Sequence, residues 1–281
     1  MDRKYVAITL VVIIIVASAA GYLAYNGIFS SKTTLRVFIA SSLDYVVANM
    51  TQAFDKANNC NIVVNSASSS TLYTQIIEGS PCDVFMSANF KWDNQLNSSS
   101  NLYGNSYTNF TTNSLIVVLP KSNLDNITSL LDLIHPGVKI VIAEESVPAG
   151  EYTNDTLFTI DATWGNASNP LYQGPQWQDY STKFLANVVS YEDSDESVVG
   201  QVSLGLGTAD AGVVFVSDST YGAMTGSQLQ YIQIPSAINT QGTYGIAVIK
   251  GTSNADLATK FMNYWTSRIG QNLLKTFGFG T

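Results

Sequence analysis

Apolar and polar positions change period repeatedly from residue 35 onward. Short apolar runs at 35–40, 62–66 and 83–87 each give way to a stretch whose apolar residues fall three and four apart, as at Val46, Val47, Met50, Phe54 and Ala57. Runs of the first kind predict strands and the second period predicts amphipathic helices, here over 43–57, 72–78 and 92–96. A strand–helix series of this length builds a parallel sheet with right-handed crossovers. A longer apolar strand is expected at 114–120, and then a helix at 129–134 stopped by His135-Pro136-Gly137. The series restarts with strands at 139–143, 187–191 and 211–216, and with helices from Gly150 and over 197–206. A last strand at 242–250 precedes an amphipathic helical region at 254–277, interrupted near Gly270. Residues 166–180, with Pro170, Gly174 and Pro175, read as a loop insertion.

The pattern therefore predicts an α/β protein with two units of similar size. The first lobe takes 35–118 and 240–281, the second 119–239, and the strands at 114–120 and 242–250 are the natural crossings between them. In open α/β sheets ligands bind beyond the carboxyl ends of the strands. Three such ends share a chemistry. Val37-Phe38-Ile39-Ala40 breaks into Ser41-Ser42, Ile62-Val63-Val64 leads to Ser66-Ala67-Ser68-Ser69-Ser70-Thr71, and Ile140-Val141-Ile142-Ala143 leads to Val147-Pro148-Ala149-Gly150. Each places free backbone N–H groups, and in two cases serine hydroxyls, at the positive end of a helix. Serine is a favoured helix cap everywhere, so one junction alone implies only a cap. Three in one chain, two with runs of serine, point to an anion held without lysine or arginine.

Charge narrows the partners. Charged residues are 12% of the chain, the net charge is −8 and the pI about 4.5, which excludes nucleic acid and an anionic membrane surface as partners. A small anion is not excluded, because N–H dipoles act at contact distance whereas diffuse charge is screened over about 10 Å. Residues 6–25 form an apolar stretch of bilayer length with Arg3 and Lys4 before it and no further basic residue until Lys32. Residues 1–34 thus read as a membrane anchor or signal segment plus linker, with the globular part outside the cytoplasm. Ala17-Ser18-Ala19 has the form of a cleavage site, but the apolar run continues past it, which favours an uncleaved anchor. Sequons at Asn49, Asn97, Asn109, Asn126, Asn154 and Asn166 are compatible with that placement. Cys60 and Cys82 can pair there or remain free thiols; both readings stay open.

Catalysis finds little support. The one histidine, His135, sits at a helix stop; there is no Gly-x-Ser-x-Gly elbow, and no cysteine with a histidine partner. Two cysteines and one histidine do not make a protein-only zinc site, so no metal cation or cofactor is expected. A membrane-tethered surface interaction protein is the alternative of another class, although the β-rich repeats usual in such proteins are absent from the sequence.

Read together, several motifs resemble one family. Val37-Phe38-Ile39-Ala40-Ser41-Ser42-Leu43, Ala67-Ser68-Ser69-Ser70-Thr71-Leu72, Asp83-Val84-Phe85-Met86-Ser87-Ala88, Asn113-Ser114-Leu115-Ile116-Val117-Val118, Val147-Pro148-Ala149-Gly150-Glu151-Tyr152, Ala211-Gly212-Val213-Val214-Phe215 and Phe277-Gly278-Phe279 are similar to those of the molybdate/tungstate-binding proteins of ABC importers, in their order. The resemblance runs from Leu35 to the end. It implies a two-lobed periplasmic-binding-protein fold of the second class that clamps a tetrahedral oxyanion in its cleft and works, as a monomer, with an ABC permease and its ATPase. By motif, Ser42 and Ser69 would donate hydroxyls, and Ala149 a backbone N–H. Ser197 or Val198 would add another N–H. The family's last contact is often a tyrosine hydroxyl at the position of Phe215, so here the hydrogen bond is lost, supplied by water, or supplied by another group such as Tyr191. Such a donor-only site suits molybdate, tungstate or sulfate, whereas hydrogen phosphate needs an acceptor, which Asp44 or Glu196 would have to supply.

Overall fold

The computed structural model describes residues 32–224, 226 and 228–280, together with Ser18. The expected anchor at 6–25 lies outside the described residues apart from Ser18; among the described residues no helix is long and apolar enough to cross a membrane. The chain forms two five-stranded sheets. In the first, β1 (Thr33–Ala40) pairs in parallel with β2 (Cys60–Ala67) and β3 (Val84–Ser87), and β10 (Gly242–Ile249) lies antiparallel between β3 and β4 (Leu102–Asn113). The second has the same plan. Here β6 (Ile140–Ala143) pairs in parallel with β7 (Val188–Glu192) and β8 (Ala211–Phe215), and β5 (Leu115–Pro120) lies antiparallel between β8 and β9 (Leu229–Gln233). Each sheet's antiparallel inner strand is the one that arrives from the other lobe.

Alternation along the strands sets the layers. Val37 and Ile39 of β1 face one side, packed with Val46, Val47, Met50 and Phe54 of α1 (Asp44–Asn58) and Phe261 and Trp265 of α8 (Ala255–Thr266). Phe38 and Phe85 face the other side, against Leu72 and Ile76 of α2 (Ser69–Ile77) and Leu96 of α3 (Lys91–Ser98). In the second lobe the all-buried β6 is sandwiched by α4 (Pro148–Thr163) and α6 (Asp195–Ser203), as parallel strands covered on both faces require.

Several boundaries differ from the sequence expectation. The strand expected to belong to the first lobe through residue 118 hydrogen-bonds entirely within the second sheet, so the chain crosses at Asn113-Ser114. The return crossing is tied to it, because the Asn239 side chain bonds both the N–H and the C=O of Leu115 at 3.1 and 2.8 Å. The segment expected as a helix at 129–134 is a 3-10 turn, Leu130–Ile134, with a Ser129–Asp132 capping box. Trp177 and Tyr180 from the expected loop stack against each other, Trp177 packs edge-on to Trp164, and the loop leads into the short helix α5 (Tyr180–Ala186). The C-terminal helices α8 and α9 (Arg268–Thr276) break at Ser267, which caps α9 by accepting the Gly270 N–H. Cys60 and Cys82 are free buried thiols, bonded to Asp55 and to the Val84 carbonyl rather than to each other.

Candidate functional site

Ser42 lies in a 3-10 turn, Ser41–Leu43, that joins β1 to α1. Its side chain is buried, and its Oγ is 2.9 Å from the hydroxyl of Tyr244 in β10. At the end of β2 the cap of α2 is Ser68, which accepts the Thr71 N–H; Ser69 is the first residue of the helix and is fully buried. Ser69 Oγ accepts the Ala88 N–H at 3.0 Å, just past the end of β3. One lone pair of the Ser69 oxygen is therefore already used, and its proton is not committed by this bond.

The second lobe meets this point through α4. Val147 is its cap, Pro148 pre-sets the first turn, and Ala149 is buried directly behind. A Cβ on Gly150 would lie 2.1 Å from the Glu144 carbonyl oxygen, so only glycine lets this helix start press onto the preceding turn. One turn further on, the Tyr152 hydroxyl donates to the Ala88 carbonyl at 3.1 Å across the cleft. One residue, Ala88, is thus held from the first lobe by Ser69 and from the second by Tyr152. Lys91 and Glu151 add an ion pair between the lobes at 2.5 Å; it is partly exposed and contributes little stability.

Around α6 the N–H groups expected as donors are already bonded. Ser194 caps the helix and accepts the Ser197 N–H at 3.3 Å, and the Ser197 hydroxyl pairs with Ser194 and donates to Asp193. The Val198 N–H bonds the Ser194 carbonyl, and the Val198 side chain packs in the second core. Both N–H groups are engaged within the cap. Phe215 is fully buried with its ring edge-on to Tyr152 at 5.8 Å and to Tyr244 at 6.1 Å. Tyr191 is 55% exposed on β7 and does not fill its place. The hydroxyl beside Ser42 comes instead from Tyr244, a residue that the sequence reading passed over within an apolar strand. Its signal was there: it is the one phenol in β10.

Carboxylates, not cations, surround these donors. Asp195 and Asp218 are buried, and each has one oxygen with no hydrogen-bond partner. Desolvation, then Glu196, raises the Asp195 carboxyl to about 7. Desolvation, then Asp195 and Glu196, raises Asp218 well above the ordinary carboxylate range. Across the cleft, burial raises Asp44; a hydrogen bond from Ser66 opposes the shift and the charge of Glu196 adds to it. Burial also raises Tyr244, which keeps its proton.

Residues 35–280 match the family model of the bacterial extracellular solute-binding proteins. The chain belongs to this family. This solute-binding protein is 33% identical over 245 residues to the molybdate-binding protein ModA of Mycobacterium tuberculosis, spanning 86% of this chain and 83% of that one. Its fold is that of the Azotobacter vinelandii periplasmic molybdate-binding protein (TM-score 0.69, 19% identity, 87% of this chain and 98% of that chain). The sulfate-binding protein SubI of Mycobacterium tuberculosis shares the fold as well (TM-score 0.74, 14% identity, 88% of this chain and 86% of that chain). The two-lobed periplasmic-binding-protein fold expected from the sequence is the one observed, and membership places the chain among binding proteins rather than enzymes.

Proposed function

We propose that this protein captures a fully deprotonated tetrahedral oxyanion, molybdate or tungstate, outside the cytoplasm and hands it to the permease of an ABC importer. The observation that supports the reading is Ser69: its oxygen accepts the Ala88 N–H, which holds the hydroxyl in place with its proton available to a ligand. Ser42 beside Tyr244 and the N-terminus of α4 at Ala149 supply the rest of the set, with no lysine or arginine required. Ser42 and Ser69 belong to the first lobe and Ala149 to the second, so neither lobe alone holds the full donor set and the anion favours closure. The Tyr152–Ala88 bond already joins the two lobes and would support that closure. The 6–25 segment would keep the protein beside its permease, at high local concentration, while the importer's ATPase supplies the energy. Sulfate is the second reading, favoured by the shared fold of the sulfate-binding protein and by the same donor logic.

Thermal melts of the domain from Lys32 onward with each anion test this directly. Molybdate and tungstate should raise the melting temperature increasingly with ligand excess over Kd, and phosphate should not. A shift with sulfate alone would move the assignment to sulfate. Equal shifts with molybdate, tungstate, sulfate and phosphate, or none at all, would overturn it.

A further inference from the structure

Unlike Ser69, Ser42 accepts no backbone N–H among the described residues. Its partner is the Tyr244 hydroxyl, and between two hydroxyls either can donate. The third member decides. The Asn113 side chain is fully buried where the chain crosses between lobes, and its Oδ1 accepts the Ser114 N–H at 3.1 Å. That bond fixes the amide orientation and turns Nδ2 the other way, where it donates to Ser217 Oγ at 2.8 Å and to the Tyr244 oxygen at 3.4 Å. With its oxygen accepting from an amide that can only donate, Tyr244 sends its own proton to Ser42 Oγ. The Ser42 proton is then the one left free for the ligand.

We propose that Asn113 and Tyr244 are positioning residues that orient the Ser42 hydroxyl as a donor towards the ligand, so that this corner of the site favours oxyanions that carry no proton. The inference rests on the function proposed above and deepens it. The relay runs from Ser217 and Asn113 at the crossing, through Tyr244 of β10, to Ser42 of the first lobe, so opening the hinge would disturb the donor. Phe215, Phe110 and Phe279 pack edge-on around the Tyr244 ring. Those contacts hold the phenol in place and survive its replacement by phenylalanine.

The test is a titration of the parent, Tyr244→Phe, Ser42→Ala and the double variant with molybdate and with phosphate at pH 8. In Tyr244→Phe the Ser42 hydroxyl is released to rotate and accept, so the preference for molybdate over phosphate should fall about tenfold, the scale of one net hydrogen bond. Because Tyr244 acts through Ser42, the double variant should bind like Ser42→Ala alone, within about twofold. If Tyr244→Phe does not fold, Asn113→Asp serves: it replaces the donor by an acceptor, reverses the relay and should lower the same ratio, which simple repulsion of two dianions would leave in place. Additive losses in the double variant, or an unchanged ratio in a parent that does prefer molybdate, overturn the relay while leaving the function standing. A parent that binds none of these anions overturns both.

Discussion

Changing Ser69 to alanine is expected to weaken molybdate binding about 10- to 100-fold. The lost bond joins a hydroxyl to a full charge and is worth roughly 1.5–3 kcal/mol. The change has a second effect, because Ser69 Oγ is the acceptor for the buried Ala88 N–H, which alanine leaves unpaired at a cost of about 1–3 kcal/mol in stability. The helix cap survives, since Ser68 and not Ser69 accepts the Thr71 N–H. Titration calorimetry paired with denaturant melts separates the two effects. Parental affinity in a folded Ser69→Ala protein would remove Ser69 from the site.

The other large effect concerns the pH dependence of stability. Asp93 of α3 is fully buried against β10, where only a glycine fits: a Cβ on Gly245 would lie 2.1 Å from Asp93 Oδ2. One oxygen accepts from Ser87 and the other has no partner, and desolvation, the largest influence, raises the carboxyl from 3.8 to about 7 despite the serine bond. The native state therefore holds this proton more tightly than the unfolded chain. Its contribution is complete below pH 3.8 and declines as pH rises through about 7, by about 1.4 kcal/mol per pH unit between those values. Asp195 acts in the same sense. Unfolding free energies of the unliganded protein should accordingly fall from about pH 5 towards pH 8, and Asp93→Asn should flatten much of that slope and be the more stable protein at pH 8. A parent whose stability rises over this window, or a slope that Asp93→Asn leaves unchanged, would contradict the assignment.

Much of this architecture is visible in the chain because covered parallel strands are continuous apolar runs: β1, β3, β6 and β8 stand out for that reason. Two of the misses share a cause. The strand β4 carries Asn105, Ser106, Thr108, Asn109, Thr111 and Thr112, and as an edge strand paired only with β10 it needs no apolar run. The polar β9, Leu229–Gln233, is likewise an edge. Helix α7 (Val216–Met224) follows β8 without any turn residue to announce it. Of the proposed donors, Ser42, Ser69 and Ala149 can be named from the sequence because each belongs to a local strand-to-helix junction. Tyr244 and Asn113 are not, since Tyr244 lies 202 residues from Ser42 and 131 from Asn113 along the chain and only the fold brings them together. The buried acids Asp195 and Asp218 look like ordinary first-turn carboxylates until their burial is seen.

The most direct test of a donor-only oxyanion cleft is a crystal structure of the domain grown with molybdate, with diffraction recorded at the molybdenum absorption edge. The account predicts one strong anomalous peak in the cleft, with oxyanion oxygens within hydrogen-bond distance of Ser42 Oγ, Ser69 Oγ and the Ala149 N–H, and no cation beside it. A peak elsewhere on the molecule, or an empty cleft at saturating molybdate, would contradict it.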